Sequence, residues 1–468
     1  MKEGQGLVPC PFYGSAEPEP LSAALECGLR FSVGTRFLVT SPQPSTSQPF
    51  MSTKRVVITG MGVVSPNGIG RAAFTEAILE GRSGVRRITR FDPSELNVQI
   101  AGEVTGFDEL AWMEKKDRRH VSRVLPLAIA AASEAFASSG LDPARLSLDD
   151  LRRFGVIIGS GGGSQEFTEQ QYELFFHDKQ RQMSVHCVPT TVMGTLASDL
   201  SIRFGLRGAS HVVTTGCTSS TDALNYATRQ IQSGRADCVL SGGADWPIAL
   251  GIVKGFILMK IMTSRWNHAP EKGSRPFSVD RDGFVLAEGS WMYVLEEYEH
   301  AKARGAQMLA EIVGYGSTCE AFHRVRLQEC GEEPARAIGL AMQEAGVGPQ
   351  DIHYVNLHGT STDLNDRIET RALKLALGEE RAHQVPMSAL KSQIGHPQGA
   401  CGAAGVAATI IAMQTGQLPP TLNLDSPDPL CDLDYVPQSG RKAVIEHAVA
   451  NCIAFGSKNS ALVLRRAG

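Results

Sequence analysis

Cys217, His358 and His396 are the side chains of this sequence whose types and settings could carry nucleophilic chemistry. Cys217 falls at the turn of Val212-Val213-Thr214-Thr215-Gly216-Cys217-Thr218-Ser219, with Ala223, Ala227 and Ile231 following at helical spacing before Gly234. That pattern predicts a buried strand, a tight turn and a helix stopped by a glycine. A thiol at such a turn meets helix N–H groups that lack an internal partner, at the positive end of the dipole. It is expected to ionise more readily than a free thiol, and the thiolate is the reactive form. A buried, inert cysteine is the plainer alternative. His358 opens His-Gly-Thr-Ser-Thr-Asp at the end of a predicted strand over 354–358, and His396 stands in Gly-His-Pro-Gln-Gly-Ala ahead of an Ala-rich helix. Lys391 precedes His396 by five residues. Any one of the twelve histidines is more often structural or solvent-facing. Two at glycine-flanked junctions between elements and loops occupy places where functional residues concentrate.

The elements that must position these groups are those of an α/β protein. Val56-Val57-Ile58, Phe154 to Gly159, Cys238 to Gly243 and 354–358 read as buried strands. Helices are predicted over 70–81 and 121–140, from Leu196 to Phe204, after Cys217 and after His396. Strands alternating with helices predict largely parallel sheets. Each half of the chain places a reactive side chain at the head of an Ala-rich, charge-poor helix that ends at a glycine (Gly234 and Gly416). An internal duplication with those two helices at its centre would bring Cys217 and His396 together; two unrelated core helices are the alternative. Gly60-Met61-Gly62 follows a strand, but Val63-Val64-Ser65-Pro66 stands where a dinucleotide site needs a third glycine and a helix, so no Rossmann site is expected.

At 468 residues the chain is long enough for one large or two closely joined domains. Residues 1–50, rich in Pro, Ser, Gly and Glu, read as a disordered or mis-assigned N-terminal extension, and Met51 as a natural start; they fit neither a signal peptide nor an Arg-rich presequence. A net charge of −4 gives no sign of nucleic-acid binding. No apolar run reaches the roughly 18 residues of a membrane span. Ten cysteines without CxxC pairs or zinc spacing predict no metal site and no disulfide framework, which suits a cytoplasmic protein.

From about Lys54 to Arg466 the chain resembles the β-ketoacyl-[acyl-carrier-protein] synthase family, elongating synthase II type. The resemblance is carried by Arg55-Val56-Val57-Ile58-Thr59-Gly60-Met61-Gly62, Gly205-Leu206-Arg207-Gly208, the cysteine turn, Arg275-Pro276-Phe277, Asp280-Arg281-Asp282-Gly283-Phe284-Val285, His358-Gly359-Thr360-Ser361-Thr362, Lys391-Ser392, Gly395-His396, Leu418 to Asp425, and Ala454-Phe455-Gly456. It implies a thiolase-like five-layered αβαβα sandwich made of two duplicated halves, 51–300 and 301–468, each with a mixed five-stranded sheet, and a homodimer. Cys217 would take an acyl chain from the phosphopantetheine of an acyl carrier protein. His358 and His396 would stabilise the enolate formed when a malonyl thioester loses carbon dioxide. The N–H groups of Cys217 and Phe455 would hold the oxyanion of acyl transfer. Lys391 matches the active-site lysine, Thr360 and Thr362 the hydroxyls on the pantetheine arm, and Phe455 the aromatic gate. Lys115, Arg118 and Arg119 match basic residues that meet the carrier protein, a solvated helix face being the alternative. No metal, nicotinamide or other cofactor is implied.

Several positions depart from the family pattern. Gly216 replaces an alanine. Gly405 stands where a glutamate partners the lysine, so Lys391 is expected to lack a counter-charge. Ser457-Lys458 make the gate loop stiffer and more charged. Gly162 replaces a bulky residue that closes the acyl pocket, which implies a deeper pocket. Segment 321–327 has no legible purpose. A non-elongating relative, either a chain-length-factor-like partner or a malonyl decarboxylase, is the nearest alternative, but such relatives commonly lose the cysteine. A thiolase would use two cysteines and one histidine. A non-catalytic scaffold is the third alternative.

Overall fold

The computed structural model describes residues 54–467; the extension expected at 1–50 lies outside them. Five strands form the first set: β1 (Val56–Ser65), β2 (Phe154–Gly159), β3 (Ser210–Val213), β4 (Cys238–Asp245) and β5 (Gly289–Glu297), side by side as β3-β2-β4-β5-β1. The second set is β6 (Ala310–Cys319), β7 (Ile352–Asn356), β8 (Met387–Ser388), β9 (His447–Ala454) and β10 (Lys458–Arg466), ordered β8-β7-β9-β10-β6. Numbered within each set, both orders are 3-2-4-5-1. Strand directions repeat as well. The 3-2 and 2-4 pairs are parallel in both sets, and the 4-5 and 5-1 pairs are antiparallel. One order and one set of directions occurring twice is the mark of a duplicated unit. The sheets are thus mixed rather than largely parallel, because the fifth strand of each set returns against the fourth. In the second set it does so through a hairpin over 455–457. The sets also join edge to edge, with Val57 and Ile58 of β1 opposite Glu311 and Ala310 of β6.

Side chains alternate between the faces of a strand, so each sheet supplies two cores. Phe154, Val156 and Ile158 pack with helix α1 (Val124–Ser139) and with α2 (Thr195–Phe204), whereas Ile157 faces α3 (Ser219–Gln232). In the second half Val355, Val449 and Val463 pack with α4 (Glu332–Ala345) and α5 (Asp363–Leu377). Tyr354, Ala448, Ala450 and Leu462 join the same inner core as α3 and α6 (Cys401–Thr415). Helices α3 and α6 therefore form the middle of five layers. Every residue from Cys401 to Met413 is buried, which explains the lack of charge in that helix. None of the described helices is long and apolar enough to cross a membrane.

The Gly60-Met61-Gly62 motif serves packing. A Cβ on Gly60 or Gly62 would lie 2.0 or 1.9 Å from the carbonyl oxygens of Ala135 or Ala131 in α1. A Cβ on Gly314 or Gly316 of β6 would likewise lie 2.1 or 2.0 Å from the carbonyl oxygens of Ala341 or Ala337 in α4. Each half thus presses its outer helix onto glycines of its first strand. Gly62→Ala and Gly316→Ala must push these helices off the sheet, and each is expected to lower unfolding free energy by about 3 kcal/mol. Denaturant titration checks this, and an unshifted midpoint would show that the helices retreat freely.

Candidate active site

The turn between β3 and α3 is held from several sides. Gly216 takes a positive φ of 75°. Ser219 Oγ accepts from Thr215 N at 2.9 Å and donates to Gly216 O at 2.5 Å. The carboxylate of Asp222, one turn into α3, accepts from Thr215 Oγ1 at 2.5 Å and from the Tyr315 hydroxyl at 2.8 Å. Cys217 projects from this fixed turn towards the loop before α6. There His396 N donates to Val285 O at 2.7 Å. The Gln398 N–H donates to His396 Nδ1 at 3.1 Å, so the ring proton resides on Nε2, which lies 3.1 Å from Cys217 Sγ.

His358 ends the strand-to-loop stretch after β7. Glu369 of α5 accepts from the N–H groups of His358 and Gly359 at 2.6 and 2.7 Å. Lys391 Nζ donates to His358 O at 2.6 Å and lies 3.3 Å from Nδ1. The Cys452 thiol stands 3.6 Å from the same nitrogen. With the Lys391 ammonium facing Nδ1, the proton of this ring too is on Nε2. The two imidazoles stand edge to face at 5.4 Å between centroids. A sulfur and a ring nitrogen from each histidine lie within 4.8 Å of one another. The three residues read from the sequence meet in one place.

Burial governs the protonation of the site. It pushes the His358 imidazole down to about 3, with the Lys391 ammonium adding to the effect, and it also lowers His396. Both rings are neutral donors at neutral pH. Burial raises the Cys217 thiol above its ordinary value and Cys401 adds to this, against the Lys391 charge and the Phe455 N–H. The expectation of an easily ionised thiol is therefore corrected: the closed site desolvates the thiolate more than the helix end stabilises it. Glu369 is pushed up to about 7 by burial. At Gly405 a Cβ would sit 2.5 Å from Asn356 Oδ1, so an amide takes up the space beside this position. Among the described residues Lys391 has no carboxylate within ion-pairing distance, and its ammonium is held by the His358 carbonyl.

Thr360, Thr362, Phe455 and Phe284 line the chamber with the three reactive residues. Gly162 does not line it. Its N–H donates to Asp245 Oδ1 at 2.9 Å, and Asp245 also accepts from Gly161, Gly399 and Ser160. That buried carboxylate ties the loop after β2 to the segment leading into α6. Lys115, Arg118 and Arg119 sit apart from the chamber. Lys115 and Arg119 are exposed, and Arg118 pairs with Glu109. Asp222, Asp245 and Glu369 escape a reading of the sequence, since a carboxylate that serves buried hydroxyls (Asp222) or backbone N–H groups (Asp245, Glu369) carries no spacing signature.

Segment 321–327 proves to be a clamp on the gate loop. Phe455-Gly456-Ser457 connects β9 to β10, and Ser457 holds a positive φ of 62° without being glycine. Ser457 Oγ accepts from His323 N at 3.2 Å and donates to His323 O at 2.9 Å. Gly456 N donates to Arg324 O at 2.9 Å, and Glu320 N to Ser457 O at 2.8 Å. Leu327 then enters the chamber lining.

The comparisons with known proteins agree with this geometry. A family profile described as beta-ketoacyl synthase, N-terminal domain, matches residues 53–301, and its C-terminal counterpart matches 309–425. The 3-oxoacyl-[acyl-carrier-protein] synthase 2 of Vibrio cholerae is 40% identical over 417 residues, covering 89% of this chain and all of the relative. A beta-ketoacyl synthase from Burkholderia phymatum superposes with a TM-score of 0.81 at 36% identity, over 89% of this chain and 100% of that one. A type II polyketide synthase ketosynthase, solved with its acyl-carrier protein and a hexaketide, gives the same score and coverage at 31% identity.

Two outcomes are expected here. The native protein keeps His358 neutral down to about pH 3, whereas the unfolded chain takes up a proton near 6.5. The stability this residue contributes is whole above about 6.5 and is lost as pH falls towards 3. At pH 5 the loss is about 2 kcal/mol, and His358→Gln should escape it. Urea titrations of both proteins at pH 7 and 5 read the difference, and equal losses would mean that the native ring is charged. Ser457→Ala keeps the positive φ and deletes both Oγ hydrogen bonds, so amide exchange across 454–458 should rise about tenfold, equivalent to about 1.4 kcal/mol. Unchanged exchange would show that the clamp does not hold the loop.

Proposed function

The chain belongs to the β-ketoacyl synthase family, and on that premise we propose that Cys217, His358 and His396 carry the condensation. The protein is a condensing acyltransferase of the 3-oxoacyl-[acyl-carrier-protein] synthase kind, related to enzymes of fatty-acid and polyketide biosynthesis. The Cys217 sulfur attacks an acyl thioester carried on the phosphopantetheine of an acyl carrier protein. The new thioester forms as the old carbon–sulfur bond breaks, and the departing pantetheine thiol takes the Cys217 proton. The N–H groups of Cys217 and Phe455 hold the oxyanion.

A malonyl thioester then enters past Phe455, its pantetheine arm along Thr360 and Thr362. Its carboxylate leaves as carbon dioxide. The electrons of the broken bond pass to the thioester oxygen, where the Nε2–H groups of His358 and His396 receive the charge. The enolate carbon attacks the acyl carbonyl on Cys217, the sulfur leaves as a thiolate that takes up a proton from water to restore the thiol, and a 3-oxoacyl thioester two carbons longer results. Lys391 keeps His358 Nδ1 in its accepting role. No metal or nicotinamide takes part in these steps. The observation that carries the proposal is a sulfur 3.1 Å from one imidazole Nε2, with a second neutral imidazole at right angles to the first.

Lys115, Arg118 and Arg119 supply the positive face for the acidic carrier protein. A homodimer is supported by the bare outer edge of β3 and by strongly exposed Val185, Val188 and Ile202. The described cysteines are all unbridged, which supports a reducing, cytoplasmic setting. Incubation with acyl carrier protein charged with a fatty acyl group should add the mass of that acyl group to Cys217. Malonyl carrier protein should then remove it as the elongated thioester. His396→Ala and His358→Ala should each slow condensation by about 100-fold or more, while Cys217→Ser forms no thioester. Carbon dioxide release with no adduct at Cys217 would favour the non-elongating alternative instead.

A further inference from the structure

Two thiols that the condensation does not use lie directly behind the nucleophile. Cys401 begins α6 and Cys452 lies in β9, and their sulfurs are 3.5 Å apart. Both donate to one acceptor, the Cys217 carbonyl oxygen, at 3.2 and 3.0 Å. Cys217, Cys401, Cys452 and Ala454 form a small core of their own. Cys452 also stands 3.6 Å from His358 Nδ1, beside the Lys391 ammonium. Among the described residues that ammonium has no carboxylate partner, and Gly405 offers none, so its charge is left to stabilise a thiolate at the pair. A divalent cation would fit worse, because it would compete with the ammonium for the same imidazole nitrogen. Cys401 is 5% exposed, close to the 6% of Cys217, whereas Cys452 is 1% exposed, so Cys401 is the member of the pair that a small oxidant meets first.

We propose that Cys401 and Cys452 are an oxidisable dithiol that closes to a disulfide and disables the site while leaving Cys217 intact. The oxidant is a hydroperoxide. The Cys401 sulfur attacks the peroxide oxygen, the O–O bond breaks to give the sulfenic acid and an alcohol or water, and the Cys452 thiol displaces hydroxide, released as water, to form the S–S bond. Two thiols are oxidised and one peroxide is reduced. Closure removes both S–H donors from the Cys217 carbonyl and draws Cys452 away from His358 Nδ1. The bond itself does not depend on the proposed condensation; only its effect on turnover does.

Mass mapping of the full-length protein tests it. The protein is treated with a small excess of hydrogen peroxide, denatured in iodoacetamide and digested without reductant. The expected product is a cross-link between the Cys401 and Cys452 peptides, two hydrogens lighter than their sum, with Cys217 still alkylated. Turnover should fall in proportion to the cross-linked fraction and return with dithiothreitol, and Cys401→Ala should show neither change. The proposal is overturned if Cys401 and Cys452 remain alkylatable once Cys217 has been oxidised, or if either forms its bond to Cys217. The decisive masses come from the native protein, so they stand even where a variant folds poorly. Failure of the acyl-adduct experiment would leave this result untouched.

Discussion

Everything at the site depends on how closely two helix starts are allowed to approach. Ser220 Oγ in the first turn of α3 accepts the Ala403 N–H of α6 at 2.8 Å. Gly402 faces α3 with no side chain, because a Cβ there would fall 2.1 Å from Thr221 Oγ1. Gly243 of β4 leaves matching room between Ser220 and Ala400. A serine and two glycines thus bring together segments that lie 184 residues apart in the chain. The nucleophile precedes one helix, the imidazole precedes the other, and both are presented to one small volume.

The electrical character of that volume follows from its closure. Desolvation keeps the imidazoles uncharged and raises the thiol, so the resting site is made of neutral donors around a neutral nucleophile. The Lys391 ammonium rests against a backbone carbonyl, behind the imidazoles rather than among them. Such a site suits a reaction whose negative charge exists only in passing. Donors with fixed orientation stabilise an enolate oxygen without reorganising, and they do not trap an anionic ground state.

Much of this is legible in the residues. The strand, turn and helix around Cys217 and the Ala-rich buried helix after His396 follow from period and composition, whereas the duplication joining them is one of two readings there and is otherwise implied by the family resemblance. The predicted helices over 70–81 and 121–140 form at Arg71–Glu80 and Val124–Ser139. The direction of the fifth strand in each set is not legible, because a buried run of β-branched residues looks alike in parallel and antiparallel neighbours. Asp222, Asp245 and Glu369 are hidden for a related reason, since their partners, hydroxyls for Asp222 and chiefly backbone N–H groups for the other two, are brought near only by the fold. The clamp over 321–327 is hidden because its grip on Ser457 and Gly456 runs chiefly through main-chain atoms, to which a sequence gives no access. The ionisation of Cys217 is misjudged from sequence because a local motif reveals a helix end but not the depth at which that end is buried.

The repeated 3-2-4-5-1 order carries a consequence for the growing chain. In each half the first strand lies beside the last, so neither sheet can close until its half is fully synthesised. The N-terminal sheet can assemble once residue 297 is available. Val64 and Ser65 pair locally with Ile69 and Gly68, but until Ala310 and Glu311 follow, the far side at Val57 and Ile58 remains an unpaired edge. On the ribosome the nascent protein therefore passes through a stage in which half an enzyme is folded with a sticky border, the kind of intermediate that chaperones exist to shield.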